Sequence, residues 1–167
     1  MLNFKDFIEE SYLESNFAPI YHFTNSYYLL TILRENILKV GWFDNPFFGK
    51  KIKIISFTRN NKLNIGNYKI DLNVILCFDK NKMLLDGYRL YSYNYFIQSG
   101  NEYYPKSNVL RSNPFEFEEA TNVNITNIDK YIMYVDFLGE SLFDSSESIN
   151  ILKKKNIPIY EAGRRIF

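Results

Sequence analysis

Residues 72–78, Leu-Asn-Val-Ile-Leu-Cys-Phe, are apolar at six of seven positions. A run of that length without alternation reads as a strand that meets apolar neighbours on both faces. The pattern predicts a strand over 68–78 at the centre of a sheet. Such a sheet must be covered on both sides, and a chain of 167 residues is long enough to do so with one core. Aromatic residues make up 18% of the chain, with 15 Phe and 14 Tyr, which favours strands and a well-filled interior.

The remaining elements follow from periodicity. Phe4, Phe7, Ile8 and Tyr12 make a helical stripe over 3–15. A strand is expected at 17–23. The clearest helix spans 26–36, with Leu29, Leu30, Leu33 and Ile37 on one side and Thr24 or Asn25 as cap. A short strand or extended exit follows at 37–42. Pro46 and Gly49 mark a loop over 44–51. A strand is expected at 51–59, a polar turn at 60–67, a short helix or turn at 79–85 and a Tyr-rich strand at 88–96. Residues 99–114 read as loop. Strands are expected at 118–125, 131–137 and 157–160, and a helix at 145–155. Strands outnumber helices and few connections resemble regular βαβ crossovers, so the expected class is α+β. No repeat or boundary divides the chain. It reads as a single domain over 1–167, an N-terminal helix within 1–16 followed by the core at 17–167.

Net charge is +1, which offers no overall attraction to nucleic acid or membrane. No apolar stretch reaches spanning length, and the N-terminus lacks a signal-peptide core. A cytoplasmic protein is expected, with no membrane partner; the oligomeric state is left open. The one cysteine, Cys77, lies in the apolar run and reads as a small core residue. No metal site is expected.

Three segments carry residues suited to chemistry. The only histidine lies in Tyr21-His22-Phe23-Thr24. In a strand, His22 and Thr24 share a side with Ile20, and Tyr21 and Phe23 face the other way. An imidazole and a hydroxyl together suit sugar hydroxyls; a partly buried structural histidine is the plain alternative. In Ser56-Phe57-Thr58-Arg59, Ser56 and Thr58 interrupt what otherwise reads as a core-side face with Ile52 and Ile54. Hydroxyls there need partners, either a ligand or neighbouring backbone. Arg59 ends the strand, where its fork could meet a diphosphate or simply water. Glu116-Phe117-Glu118-Glu119 places Glu116 and Glu118 on one side of an extended chain and Glu119 on the other. A carboxylate there could stabilise developing positive charge; three glutamates in a wet turn is the alternative.

Together these segments resemble the ADP-ribosyltransferase fold, in the small branch of DarT-like enzymes and related phage-encoded proteins. Tyr21-His22-Phe23-Thr24 followed by Leu29-x-x-Ile32-Leu33-x-x-Asn36-x-Leu38 is similar to the family's first block. Ser56-Phe57-Thr58-Arg59 looks like its second motif strand. Glu116-Phe117-Glu118-Glu119 resembles its E-x-E segment, and residues 127–132 resemble the start of the following strand. Three positions depart from the pattern. Asn36 stands where glycine is common, Phe57 is bulky, and Ala120-Thr121-Asn122 is less apolar than usual.

The resemblance implies a split β-sheet core with flanking helices and an NAD-binding cleft between its halves, NAD being substrate. Tyr21, His22 and Thr24 would hold a ribose of NAD. Ser56 and Thr58 would line the nicotinamide side, and Arg59 would neutralise phosphate. Glu118 would be the catalytic carboxylate, with Glu119 as the alternative, and Glu116 would position the acceptor. The implied activity is transfer of ADP-ribose to a protein or nucleic-acid acceptor, in the host cytoplasm if the chain is phage-encoded. The departures support a second expectation, an inactive relative that captures a host protein or a nucleotide. Alternating Tyr88, Tyr91, Tyr93 and Tyr95 fit such a surface or ordinary packing. Transfer chemistry on RNA would want a denser arginine set than the scattered Arg34, Arg59, Arg89 and Arg111 and the pair Arg164-Arg165, which reads as a solvated tail.

Overall fold

In the computed structural model of the chain, the described residues are 19–44, 51–59, 72–92, 118–139 and 145–167, without the side chains at 43, 44, 52, 91, 92 and 118. The expected helix over 3–15, the turn at 60–67, the loop over 99–114, Tyr93, Tyr95 and Glu116 lie outside them.

The described residues form an α+β structure with a mostly β core. Strand β1 (Ile20–Thr24) leads through the cap Asn25 into helix α1 (Ser26–Glu35). Strands β2 (Ile37–Leu38), β3 (Gly41–Asp44), β4 (Lys51–Thr58) and β5 (Val74–Phe78) follow, then helix α2 (Lys80–Leu85). Next come β6 (Tyr91–Ser92), β7 (Glu118–Thr121), β8 (Ile125–Thr126), a 3-10 turn (Ile128–Lys130) and β9 (Ile132–Phe137). Helix α3 (Ser146–Lys154), β10 (Ile159–Glu161) and β11 (Arg164–Arg165) complete the order. The main sheet runs β11-β10-β9-β5-β1-β4-β7-β6, with β3 joined to β4, and β2 pairs β8 separately. All pairings are antiparallel except β9 with β10, whose connection carries α3.

The apolar run behaves as its composition dictates. All five residues of β5 are buried. Val74, Leu76 and Phe78 join the main core with Leu29 and Leu33 of α1, Met83 of α2 and Leu152 of α3. Ile75 and Cys77 face the opposite side, against Tyr21 and beside Phe23, Met133 and Tyr134. Burial pushes the Cys77 thiol up to about 11, as befits a packed thiol.

Helix α1 is built as its stripe predicts, with Asn25 Oδ1 accepting from the Tyr28 amide at 2.9 Å. Asn36 closes it in the left-handed conformation, φ 55°. Asparagine tolerates that geometry. Its side chain also does what glycine could not: Nδ2 donates to Asp129 Oδ1 at 2.8 Å, and Oδ1 accepts from the Asp129 amide. The departure at Asn36 is therefore a tie between α1 and the 3-10 turn.

Several boundaries differ from expectation. Of the strand expected over 68–78, the described residues are β from Val74 to Phe78; Asn73 instead caps the neighbouring helix, its Oδ1 accepting from the Ser26 amide at 3.0 Å. The strand expected over 118–125 breaks after Thr121, and its second part, β8, leaves to pair with β2. Arg164-Arg165 is a strand rather than a tail, though both side chains are exposed. Ala162 and Gly163 turn the chain with positive φ, and the Gly163 amide donates to the Asp136 carboxylate at 3.1 Å. A two-residue turn of this kind sets up a hairpin.

Candidate functional site

The residues singled out above sit on three adjacent strands, β1, β4 and β7. Thr58 lies opposite Tyr21 on one side and Glu118 on the other. One residue along, Phe57 lies opposite Glu119. Continuing the antiparallel register puts His22 across from Phe57, and their rings meet edge to face at 5.9 Å. His22, Phe57 and Glu119 thus form one cross-strand row, the first and last separated by about two strand spacings, ~10 Å. Phe57 is 2% exposed and belongs to the main core, which fixes that row on the core side of the sheet.

Backbone pairing between β1 and β4 is confined to the single position Tyr21–Thr58, whereas β1 pairs β5 along its whole length. A side chain extends the join. His22 Nδ1 lies 3.0 Å from the Ser56 carbonyl oxygen. A carbonyl can only accept, so Nδ1 carries the proton and Nε2 of the neutral ring is an acceptor. Desolvation lowers the His22 pKa below the ordinary 6.5, partly opposed by the Ser56 carbonyl.

This has a consequence for stability. Between the lowered folded value and 6.5, the unfolded chain binds a proton that the folded chain does not. Stability therefore rises with pH through that window and is lost as pH falls through it. Asp86 and Asp129, held below 3.8 mainly by Lys130 and Lys155 respectively, titrate lower. Asp136, raised by burial, acts in the opposite sense. Urea unfolding at pH 7.5 and 5.5 is expected to show a larger loss for the wild type than for His22→Gln. Equal losses would contradict the assignment.

Glu119 is the most constrained ionisable group of the site. It is 5% exposed. Oε1 accepts from Lys80 Nζ at 2.7 Å, from Arg59 Nε at 2.7 Å and from a terminal Arg59 nitrogen. Oε2 is buried and has no hydrogen-bond partner among the described residues. Lys80 is as buried as Glu119, each side chain 6% exposed, whereas the Arg59 side chain is 48% exposed. One carboxylate oxygen therefore takes two cations, and the other has no donor among the described residues. A buried acceptor in that state is costly unless a partner arrives.

The other candidates fall differently. Tyr21 points to the opposite face, into the cluster with Cys77. Thr24 is buried two residues past His22, and its carbonyl accepts from the Asn73 amide at 3.1 Å. Ser56 and Thr58 are not on the core side as expected. Ser56 is exposed and Thr58 half-buried, because Ile55 and Phe57 take the main core. The cost argued for their hydroxyls therefore does not arise, and Ser56 contributes through its carbonyl. For Glu118 the structure gives only a backbone position, opposite Thr58. Lys80 was not foreseen. The one sequence signal is its place in the first turn of α2, the wrong end of a helix for a cation.

Fold and cluster define an α+β protein with a mostly β core, three α-helices among the described residues and a buried acid–cation cluster beside a neutral histidine. No protein-family model matches the chain, and no curated protein matches its sequence. Among the described residues no helix is long and apolar enough to cross a membrane, and no group of three His, Cys, Asp or Glu could hold a metal ion.

Proposed function

We propose that the chain is an ADP-ribosyltransferase-like protein that binds NAD along the seam between β1 and β4 and transfers ADP-ribose to a protein or nucleic-acid acceptor. The observation that carries this reading is the buried Oε2 of Glu119, without a hydrogen-bond partner among the described residues, in the same row as the acceptor nitrogen of His22. Two acceptors on one face suit a ligand rich in hydroxyl donors, such as a ribose. The single-position join of β1 to β4 fits the split sheet of that fold.

In the reaction, the bond from the ribose anomeric carbon to nicotinamide nitrogen breaks and its electron pair leaves with nicotinamide. Glu119 stabilises the oxocarbenium-like centre. An acceptor nucleophile then bonds to that carbon and gives up its proton. Arg59, half in water, is placed to meet the diphosphate. On this reading Glu119 takes the role that the resemblance gives first to Glu118.

The test is incubation with NAD labelled in its adenosine half, with lysate as acceptor source. Label transfer to macromolecules is expected with wild type and not with Glu119→Gln. Equal labelling by both, or none by either, would oppose the reading. One observation favours the second expectation, a binding module without turnover: Oε1 already holds two cations, as in a purely structural ion cluster. Calorimetry with NAD separates the two, since the binding module for a protein partner gives no heat with NAD.

A further inference from the structure

The geometry points to Lys80 as the positioning residue of this site, setting which oxygen of Glu119 faces the ligand; the inference rests on the NAD-cleaving reading above. Lys80 and Arg59 bond the same oxygen, Oε1, but they are not equivalent. Arg59 hangs from the end of β4 with half its side chain in water, free to turn toward an arriving anion. Lys80 is sealed in.

The base of Lys80 is also held. It opens α2, where Asp79 accepts from the Lys82 amide at 3.1 Å and the Asp79 amide donates to the Tyr131 carbonyl at 2.8 Å. Met83, one turn along, is fully buried in the main core. The ammonium thus approaches Glu119 from a fixed point, 2.7 Å from Oε1. A carboxylate turns readily about its last torsion. With Oε1 claimed by a cation that cannot leave, Oε2 is the oxygen left for the ligand. When Arg59 exchanges to a ligand phosphate, Lys80 remains and the orientation survives. A buried ion pair contributes little net stability over an apolar pair of similar size, so the consequence of this pair is directional.

Two measurements test this. The first is initial-rate kinetics of nicotinamide release by wild type, Lys80→Met, Lys80→Gln and Arg59→Met. Lys80→Met is expected to lower kcat about 100-fold with KM within about threefold, the pattern of an interaction felt in the transition state. Arg59→Met is expected to act mainly on KM, raising it about tenfold. Lys80→Gln still donates to Oε1 and should recover about tenfold of the lost kcat. It also stands in if the Met variant does not fold, with an expected loss of about tenfold at unchanged KM. Wild-type kcat in either Lys80 variant, or a KM that rises in step with the loss, overturns the assignment.

The second measurement needs no NAD. In ligand-free crystal structures, the Glu119 carboxylate should rotate in Lys80→Met, or in Lys80→Leu if the Met variant does not fold, and keep its orientation in Lys80→Gln and Arg59→Met. An unmoved carboxylate in Lys80→Met or Lys80→Leu overturns the positioning role. A protein silent toward NAD would sink the reading of the preceding subsection, and this second measurement would still decide the place of Lys80.

Discussion

Glutamine in place of Glu119 is expected to slow nicotinamide release from NAD by about 10²- to 10³-fold, the range for removing one oriented electrostatic contact to a transition state. The substitution keeps the size of the side chain and removes its charge. It leaves Lys80 and Arg59 facing an amide instead of a carboxylate. NAD affinity should change far less than kcat, because the developing positive charge is absent in the ground state. Glu118→Gln, assayed beside it, decides between the two neighbouring acids. On this account its kcat stays within about tenfold of wild type. A reversed order would place the reacting carboxylate one residue upstream. A melting curve of each variant separates lost chemistry from lost fold.

Phe57→Ala is expected to cost about 3–5 kcal/mol of stability, the range for truncating a fully buried aromatic residue. Phe57 is 2% exposed, meets Phe78 edge to face at 5.6 Å and His22 at 5.9 Å, and lies between His22 and Glu119 in the row. Its loss opens the floor on which both polar groups stand. Phe137→Ala, also fully buried but on β9, should cost a similar amount of stability. Urea unfolding gives both numbers. Activity per folded molecule then separates them: Phe57→Ala should lose at least tenfold and Phe137→Ala much less. Equal activity loss would mean that the row has no special tie to chemistry. The bulk of Phe57, a departure from the family pattern, on this account fills the floor between histidine and acid, whose separation is set by the strand spacing.

What was legible in the chain was local. The apolar run of β5 announced a central strand, and the stripe of α1 with Asn25 ahead of it announced a capped helix. Alternation in Tyr21-His22-Phe23-Thr24 sorted the two faces of β1 correctly. Alternation cannot say which face of a strand is dry, however. In β4, Ile54 and Ile55 are both buried, so the hydroxyls of Ser56 and Thr58 were assigned to the wrong side. Register between distant strands is equally silent in a single sequence. Nothing in the Glu116-to-Glu119 segment alone shows that Glu119 faces Phe57. Lys80 lies 39 residues from its partner, and only the packing of α2 near β7 in the folded chain brings the two together. The hairpin of β10 and β11 was missed because an arginine pair has no strand signature; Gly163 and the Asp136 carboxylate determine the turn.

The central claim is that His22 Nε2 and Glu119 Oε2 address one small molecule across the β1–β4 seam. A crystal structure of the full chain with a non-hydrolysable NAD analogue tests it most directly. The account predicts ribose hydroxyls within hydrogen-bond distance of both atoms, with Lys80 still on Oε1. An analogue seated on another face, or one that touches the histidine and leaves Glu119 sealed with its two cations, would contradict it.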